Sequence, residues 1–241
     1  MLTFKVLSRL LLYPTPELAA ARDEMHVILE REALVNDSLR EGLGKLIDAR
    51  VAAEPLAAEA EYVSLFDGSR ALSLHLFEHV HGDSRERGAA MSDLIEQYRM
   101  RGLEVTADEL PDYIPLFLEF LSLQPLEEAC AMLAEVADIM ALLQARLSQR
   151  ASGYAVVFRA LCAIARTQID PVAVAEAARA EQSIDIDREW EEAPVRFDLP
   201  LTDQAAADCR VASAMVRRME LEIAGTDHAR QGRPITRDNS S

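Results

Sequence analysis

Apolar residues recur at three- and four-residue spacing in one segment after another of this chain, and prolines stand at the joints. Segments 3–13, 16–33, 37–50 and 55–66 each follow the helical period, with Pro14, Pro16 and Pro55 at their boundaries. Four helices are expected there. Asp67-Gly68 and Gly82-Asp83 are turn signals, and the stretch between them, LSLHLFEHVHGD (72–83), is too short for its period to settle its structure. Beyond it the pattern is firmer. Asp83 is placed to cap, Glu86 lies three residues on, Met91, Leu94, Ile95 and Tyr98 form one stripe, and Gly102 sits where a terminating glycine belongs. A helix over about 84–101 follows from this.

The next run, TADELPDYIPLFLEFLSLQP (106–125), opens with Thr106 and Glu109 in capping-box spacing, and Pro111 and Pro115 are tolerable only in a first turn. It then stays apolar to Pro125. A long helix is expected over 126–150, with Leu126, Ala129, Leu133, Val136, Met140, Leu143 and Leu147 along one side. Another spans 153–168, and Pro171 opens a shorter one. Residues 181–203 then hold eight acids against two arginines, with Trp190 isolated among them. The expected organisation is a single-domain, all-α helical bundle of about nine helices over 1–183. An acidic, loosely packed extension over 184–224 carries a last helix from 202, and a disordered tail covers 225–241, where apolar residues are too few to offset the entropy of ordering.

Composition agrees with helices: half of the 241 residues are hydrophobic but only 5% are aromatic, and Ala and Leu dominate where strands would need Val, Ile, Thr and Tyr. A formal charge of −16 argues against nucleic acid or an anionic membrane surface as partner, since both require clustered Lys and Arg. Basic ligands are favoured instead. No apolar run approaches the ~20 residues of a bilayer span, and the opening MLTFKVLSRLLLYPTPE lacks a small-residue cleavage site, so it reads as an amphipathic first helix. Cytoplasm is the expected compartment. Cys130, Cys162 and Cys209 are odd in number and far apart, which fits neither a disulfide framework nor a CxxC unit.

Candidate chemistry centres on HLFEH, where His75, Glu78 and His79 form an HxxEH pattern. On a helix, histidines four apart share a face, and some zinc hydrolases hold their metal that way. Such a site also needs a third ligand and a long, stable helix. Gly82 follows too closely, and His81 completes a set only if the backbone leaves the helix after His79. Ordinary polar contacts of half-buried histidines are the simpler reading. Neither metal nor cofactor is expected. GLGK at 42–45 lacks the earlier glycine and the Ser or Thr of a phosphate loop. A charge asymmetry is more informative: the 44 residues 102–145 contain nine acids and no Lys or Arg. Glu104, Asp108, Glu109 and Asp112 crowd the segment just before IPLFLEFL, an acidic rim beside an apolar strip. Such a surface suits a peptide that is basic at one end and apolar along a helical face.

Three blocks carry a resemblance: LSLHLFEHVHGDSRERGAAM (72–91), ELPDYIPLFLEFL (109–121) and ARLSQRASGYAVVFRALCAIA (145–165). They resemble the nitrate reductase delta-subunit chaperones, the NarJ branch of the TorD/DmsD/NarJ group. The resemblance implies an all-helical cytoplasmic chaperone with no catalysis of its own, in a TorD-like fold. It implies a partner too, the N-terminal peptide of the nitrate reductase alpha subunit. The apoenzyme would be held until molybdenum cofactor is inserted and before membrane docking, with the cofactor-insertion proteins as further candidate partners and the chaperone a monomer or weak dimer. The wider group has a loop motif EPxDH tied to client binding; this chain keeps Glu109 and Asp112 but has Leu110 and Tyr113 in place of its Pro and His. Taken with the apolar strip and with Glu78 and His79 of the HLFEH turn as residues that orient the loop, the expected client-binding residues are Glu78, His79, Glu109, Pro111, Asp112, Tyr113, Leu116, Phe117 and Phe120. The alternatives are a helical scaffold that oligomerises through the same strip, or a zinc hydrolase using the HxxEH pattern.

Overall fold

Proline and capping chemistry account for most helix boundaries in the computed structural model, which describes residues 1–68, 70–80, 86–105 and 109–180. Among these the fold is all-α, with eleven α-helices, two short 3-10 turns and one isolated β-bridge. The expected extension over 184–224 and tail over 225–241 lie outside the described residues, as do His81, Asp83, Thr106, Trp190 and Cys209.

Helix α1 (Leu2–Leu11) ends before Pro14, and α2 (Glu17–Ala20) begins after Pro16. After α3 (Arg22–Glu32), the Asn36 side chain accepts from the Leu39 N–H at 2.9 Å and so starts α4 (Asp37–Ala52). Glu54 does the same for α5 (Pro55–Phe66), accepting from Ala57 N–H at 3.1 Å, with Pro55 in the first turn. Two 3-10 turns, Arg70–Leu72 and Leu76–Glu78, lead to α6 (Glu86–Met100). That helix stops at Gly102, whose φ of 81° favours a residue without Cβ, and the Leu103 N–H closes the end by donating to the Tyr98 carbonyl at 2.9 Å. The remaining helices are α7 (Ile114–Ser122), α8 (Leu126–Glu135), α9 (Ala137–Gln149), α10 (Ala155–Ala165) and α11 (Pro171–Ala180).

Two helices expected as continuous are each a pair. The segment 16–33 bends at Ala21, and 126–150 bends at Val136, where φ is −109° and ψ 10°. No Gly or Pro marks either bend. At the second, both α8 and α9 pack on α10, which buries Val157, Phe158, Ala160, Leu161 and Ile164. Helix α7, whose start the sequence pattern leaves open, begins at Ile114, with Pro115 in its first turn and Pro111 in the preceding loop.

The core is one continuous cluster, and α7 runs through it. Every α7 residue but Glu119 is buried, and α1 lies along it. Buried Ser8 on α1 donates to the Pro115 carbonyl at 2.9 Å, which pins the two helices together. The free N–H groups at the start of α1 are met by a distant side chain: Glu32, at the end of α3, accepts from the N–H groups of Leu2 and Thr3 at 2.9 and 2.8 Å and from the Thr3 hydroxyl at 2.8 Å.

Candidate functional site

The two stretches that stood out in the sequence meet in space. His75 is extended and forms an antiparallel bridge with Tyr113. The Leu76 N–H donates to the Asp112 carbonyl at 2.9 Å, and the Ile114 N–H donates to the Leu74 carbonyl at 2.8 Å. Asp112 is the keystone, with a fully buried side chain. One carboxylate oxygen accepts from the Phe77 N–H at 3.1 Å and lies 3.6 Å from an Arg87 nitrogen; the other is 3.3 Å from His75 Nδ1. Burying a carboxylate is tolerable only with such partners. Arg87 also reaches Glu78 at 3.4 Å, so α6 is tied to the same node. Backbone bonds and one buried charge therefore fix the ELPDY loop onto the HLFEH turn.

Each histidine of HLFEH has its own structural partner. His79 Nε2 lies 2.9 Å from the Ser73 carbonyl, which only an Nε2–H can satisfy. Burial lowers the His79 pKa and outweighs the Ser73 contact that opposes it, so the ring is neutral at neutral pH. His75 turns its Nδ1 to Asp112, and Glu78 faces Arg87. The residues 76–78 form a single 3-10 turn rather than the long helix that presents two histidines on one face. Among the described residues, no group of three His, Cys, Asp or Glu side chains is placed to hold a metal ion.

A row of aromatic rings extends from the node. Tyr113 packs on His75 with centroids 5.3 Å apart, and its hydroxyl lies 3.3 Å from that of Tyr62. Tyr62 donates its single proton to the Leu11 carbonyl at 2.9 Å, so it accepts from Tyr113. Tyr13, exposed, stands edge-on to Tyr62 at 5.5 Å. Burial raises the Tyr62 and Tyr113 pKa values, and the nearby carboxylates of Glu109 and Asp67 add to the effect on Tyr113. On the outside of the loop, Glu109 and Leu110 are exposed, Leu110 by 45%.

The nine sequence-indicated residues thus divide. Glu78, His79, Glu109 and Tyr113 stand exposed or half-buried around the joined loops, while Pro111 and Asp112 are buried beneath them. Leu116, Phe117 and Phe120 are core residues, Phe117 and Phe120 at 0% exposure; the Phe120 ring packs on that of Tyr98 from α6 with centroids 4.6 Å apart, and α1 lies along α7. The expected apolar strip is therefore not an open trough. Periodicity alone cannot distinguish an apolar face that meets a partner from one that meets another helix of the same chain. Sequence reasoning also missed Arg87 and Tyr62. Arg87 lies within the quoted 72–91 block, but nothing in its spacing couples it to Asp112, twenty-five positions further on.

The arrangement is one for holding loops rather than for activating a nucleophile. Cys130 and Cys162 are half-buried, and burial pushes the Cys162 thiol up to about 11. No helix among the described residues is long and apolar enough to cross a membrane.

Comparison with known proteins gives a consistent result. The family model described as nitrate reductase delta subunit matches residues 32–160. The chain is 41% identical over 217 residues to the nitrate reductase molybdenum cofactor assembly chaperone NarJ of Escherichia coli K12, covering 88% of this chain and 91% of that protein. It is 36% identical over 225 residues to the probable nitrate reductase molybdenum cofactor assembly chaperone NarW of the same organism, covering 91% and 93%. A probable chaperone of the same kind from Bacillus subtilis 168, also named NarJ, is 30% identical over 162 residues, 67% of this chain and 87% of that one.

Proposed function

Because the chain belongs to the nitrate reductase delta subunit family, we propose that it is an assembly chaperone for a nitrate reductase. It binds the N-terminal segment of the catalytic alpha subunit and holds the apoenzyme for molybdenum cofactor insertion before membrane docking. It works in the cytoplasm without catalysis of its own, and meets the cofactor-insertion proteins while the client is held. The names of the NarJ and NarW relatives support the assignment to cofactor assembly.

The single observation that carries the site is the Asp112 node. It fixes the Glu109–Tyr113 loop to the 75–79 turn through the Phe77 N–H and Arg87, so that Glu109, Leu110 and the edge of Tyr113 stand outward on a rigid base. Pre-ordered loops lose less entropy when a partner binds. Glu78, His79, Glu109 and Tyr113 are the contact candidates. Pro111 and Asp112 position the loop, and Leu116, Phe117 and Phe120 back it from the core. Calorimetric titration of the purified chain with a peptide copying the first ~15 residues of the alpha subunit tests the reading. Saturable one-to-one binding with a dissociation constant in the rough range of micromolar to nanomolar supports it. No binding at low salt removes it.

A further inference from the structure

Where α7 offers no open face, an apolar groove lies between α9 and α11. A cleft of about 400 Å³ opens there, within the roughly 300–1,000 Å³ usual for ligand sites. Its cause is in the sequence of α11, PVAVAEAARA, whose short alanine side chains cannot fill the space against α9. Ile139 and Leu142 form one wall at helical spacing; Ala173, Val174 and Ala177 form the other. All five are exposed or half-buried.

Charge distinguishes this cleft from an incidental gap. Each wall opens on an exposed aspartate, Asp138 in the first turn of α9 and Asp170 immediately before α11. One oxygen of Asp170 caps α11 by accepting from the Val172 and Ala173 N–H groups at 2.8 and 3.3 Å. No Lys or Arg lines the cleft among the described residues. The remaining lining residue is His79, whose other face is held by the Ser73 carbonyl beside the Asp112 node. The cleft is therefore continuous with the joined loops.

We propose that this cleft seats the apolar face of a helical segment with a cationic end, the client leader. The proposal rests on the chaperone reading above. Two adjacent helices with apolar walls make the groove into which a third helix fits its i, i+3 and i+4 side chains. The aspartates attract and orient the cationic end, and the apolar walls hold the rest.

Full-length variants and the same alpha-subunit peptide test this. Ala173→Trp fills the cleft from an exposed position, and Asp138→Lys reverses one rim charge without touching the core. With helicity and melting temperature unchanged, Ala173→Trp is expected to weaken peptide binding about tenfold or more at every salt concentration. Asp138→Lys weakens it several-fold at low salt, with the difference shrinking as salt rises. A photo-crosslinker at Leu142 should capture the peptide, while one at exposed Val27 on α3 should not. If the wild-type chain binds the peptide and both variants bind equally well, the cleft assignment falls and the chaperone reading stands. If the wild-type chain does not bind, both fall. A Leu142 crosslink that goes only to residues beyond 180 of the same chain, with peptide present, also overturns the proposal.

Discussion

Asp112 joins two loops and helix α6 through a single carboxylate. It is buried, accepts from the Phe77 N–H, and faces Arg87 and His75. Asp112→Ala leaves that N–H and part of the Arg87 charge without a partner, and should cost about 3 kcal/mol in urea denaturation. Asp112→Asn keeps an oxygen for Phe77 and should cost less. A loss from Asp112→Ala below about 1 kcal/mol would mean that the loop is held by something else. Glu32 gives a pH-dependent counterpart. Burial works to raise its pKa, but the N–H groups of Thr3 and Leu2 and the Thr3 hydroxyl outweigh it and hold the carboxyl below its usual value. A folded pKa below the unfolded one means stabilisation present above the usual glutamate range and lost as pH falls through the folded value. Wild type should therefore exceed Glu32→Gln by about 1 kcal/mol at neutral pH, and the gap should close as pH falls below the usual glutamate range. A gap independent of pH would contradict the charged-cap account.

Helix α7 shows what an element's pattern says and leaves unsaid. The run IPLFLEFL predicts an apolar helix, and one forms, but its apolar side chains are buried in the core of the same chain. Phe117→Ala should consequently act on stability, lowering it by about 3–5 kcal/mol through cavity formation. Peptide affinity per folded molecule should change little. Thermal unfolding and titration of the same preparation separate the two effects; unchanged stability with lost affinity would return Phe117 to a surface. The long helix expected over 126–150 makes a similar point, since Val136 is an acceptable helix residue, yet the chain bends there and both halves pack on α10. By contrast, the joints at Pro55, Gly102, Pro125 and Pro171 were legible, because proline and glycine restrict the backbone whatever surrounds them.

At the scale of the whole molecule, the charge of −16 favours basic partners over acidic ones. Exposed Glu109, Asp138 and Asp170 all stand near the surfaces assigned to the client. Their attraction for a cationic leader is screened over ~10 Å at 0.1 M salt. Peptide association should therefore slow as salt rises from about 0.02 to 0.5 M, with a smaller change in dissociation. Stopped-flow fluorescence measures both, and an association rate indifferent to salt would show that charge does not steer the encounter.

Periodicity, proline and glycine positions and charge balance sufficed for the helical class, most joints, the acidic character and the two blocks, HLFEH and ELPDY, around which the family resemblance is built. These features act within a turn or two of backbone, or on the chain as a whole, so they survive without knowledge of neighbours. Tertiary structure alone decided that the apolar face of α7 is buried within the chain, that Glu32 caps a helix thirty residues away, that Asp112 locks the two blocks together, and that an open apolar cleft lies between α9 and α11. Burial and buried charge pairing depend on which surfaces come into contact, and that is a property of the packed chain rather than of any local stretch.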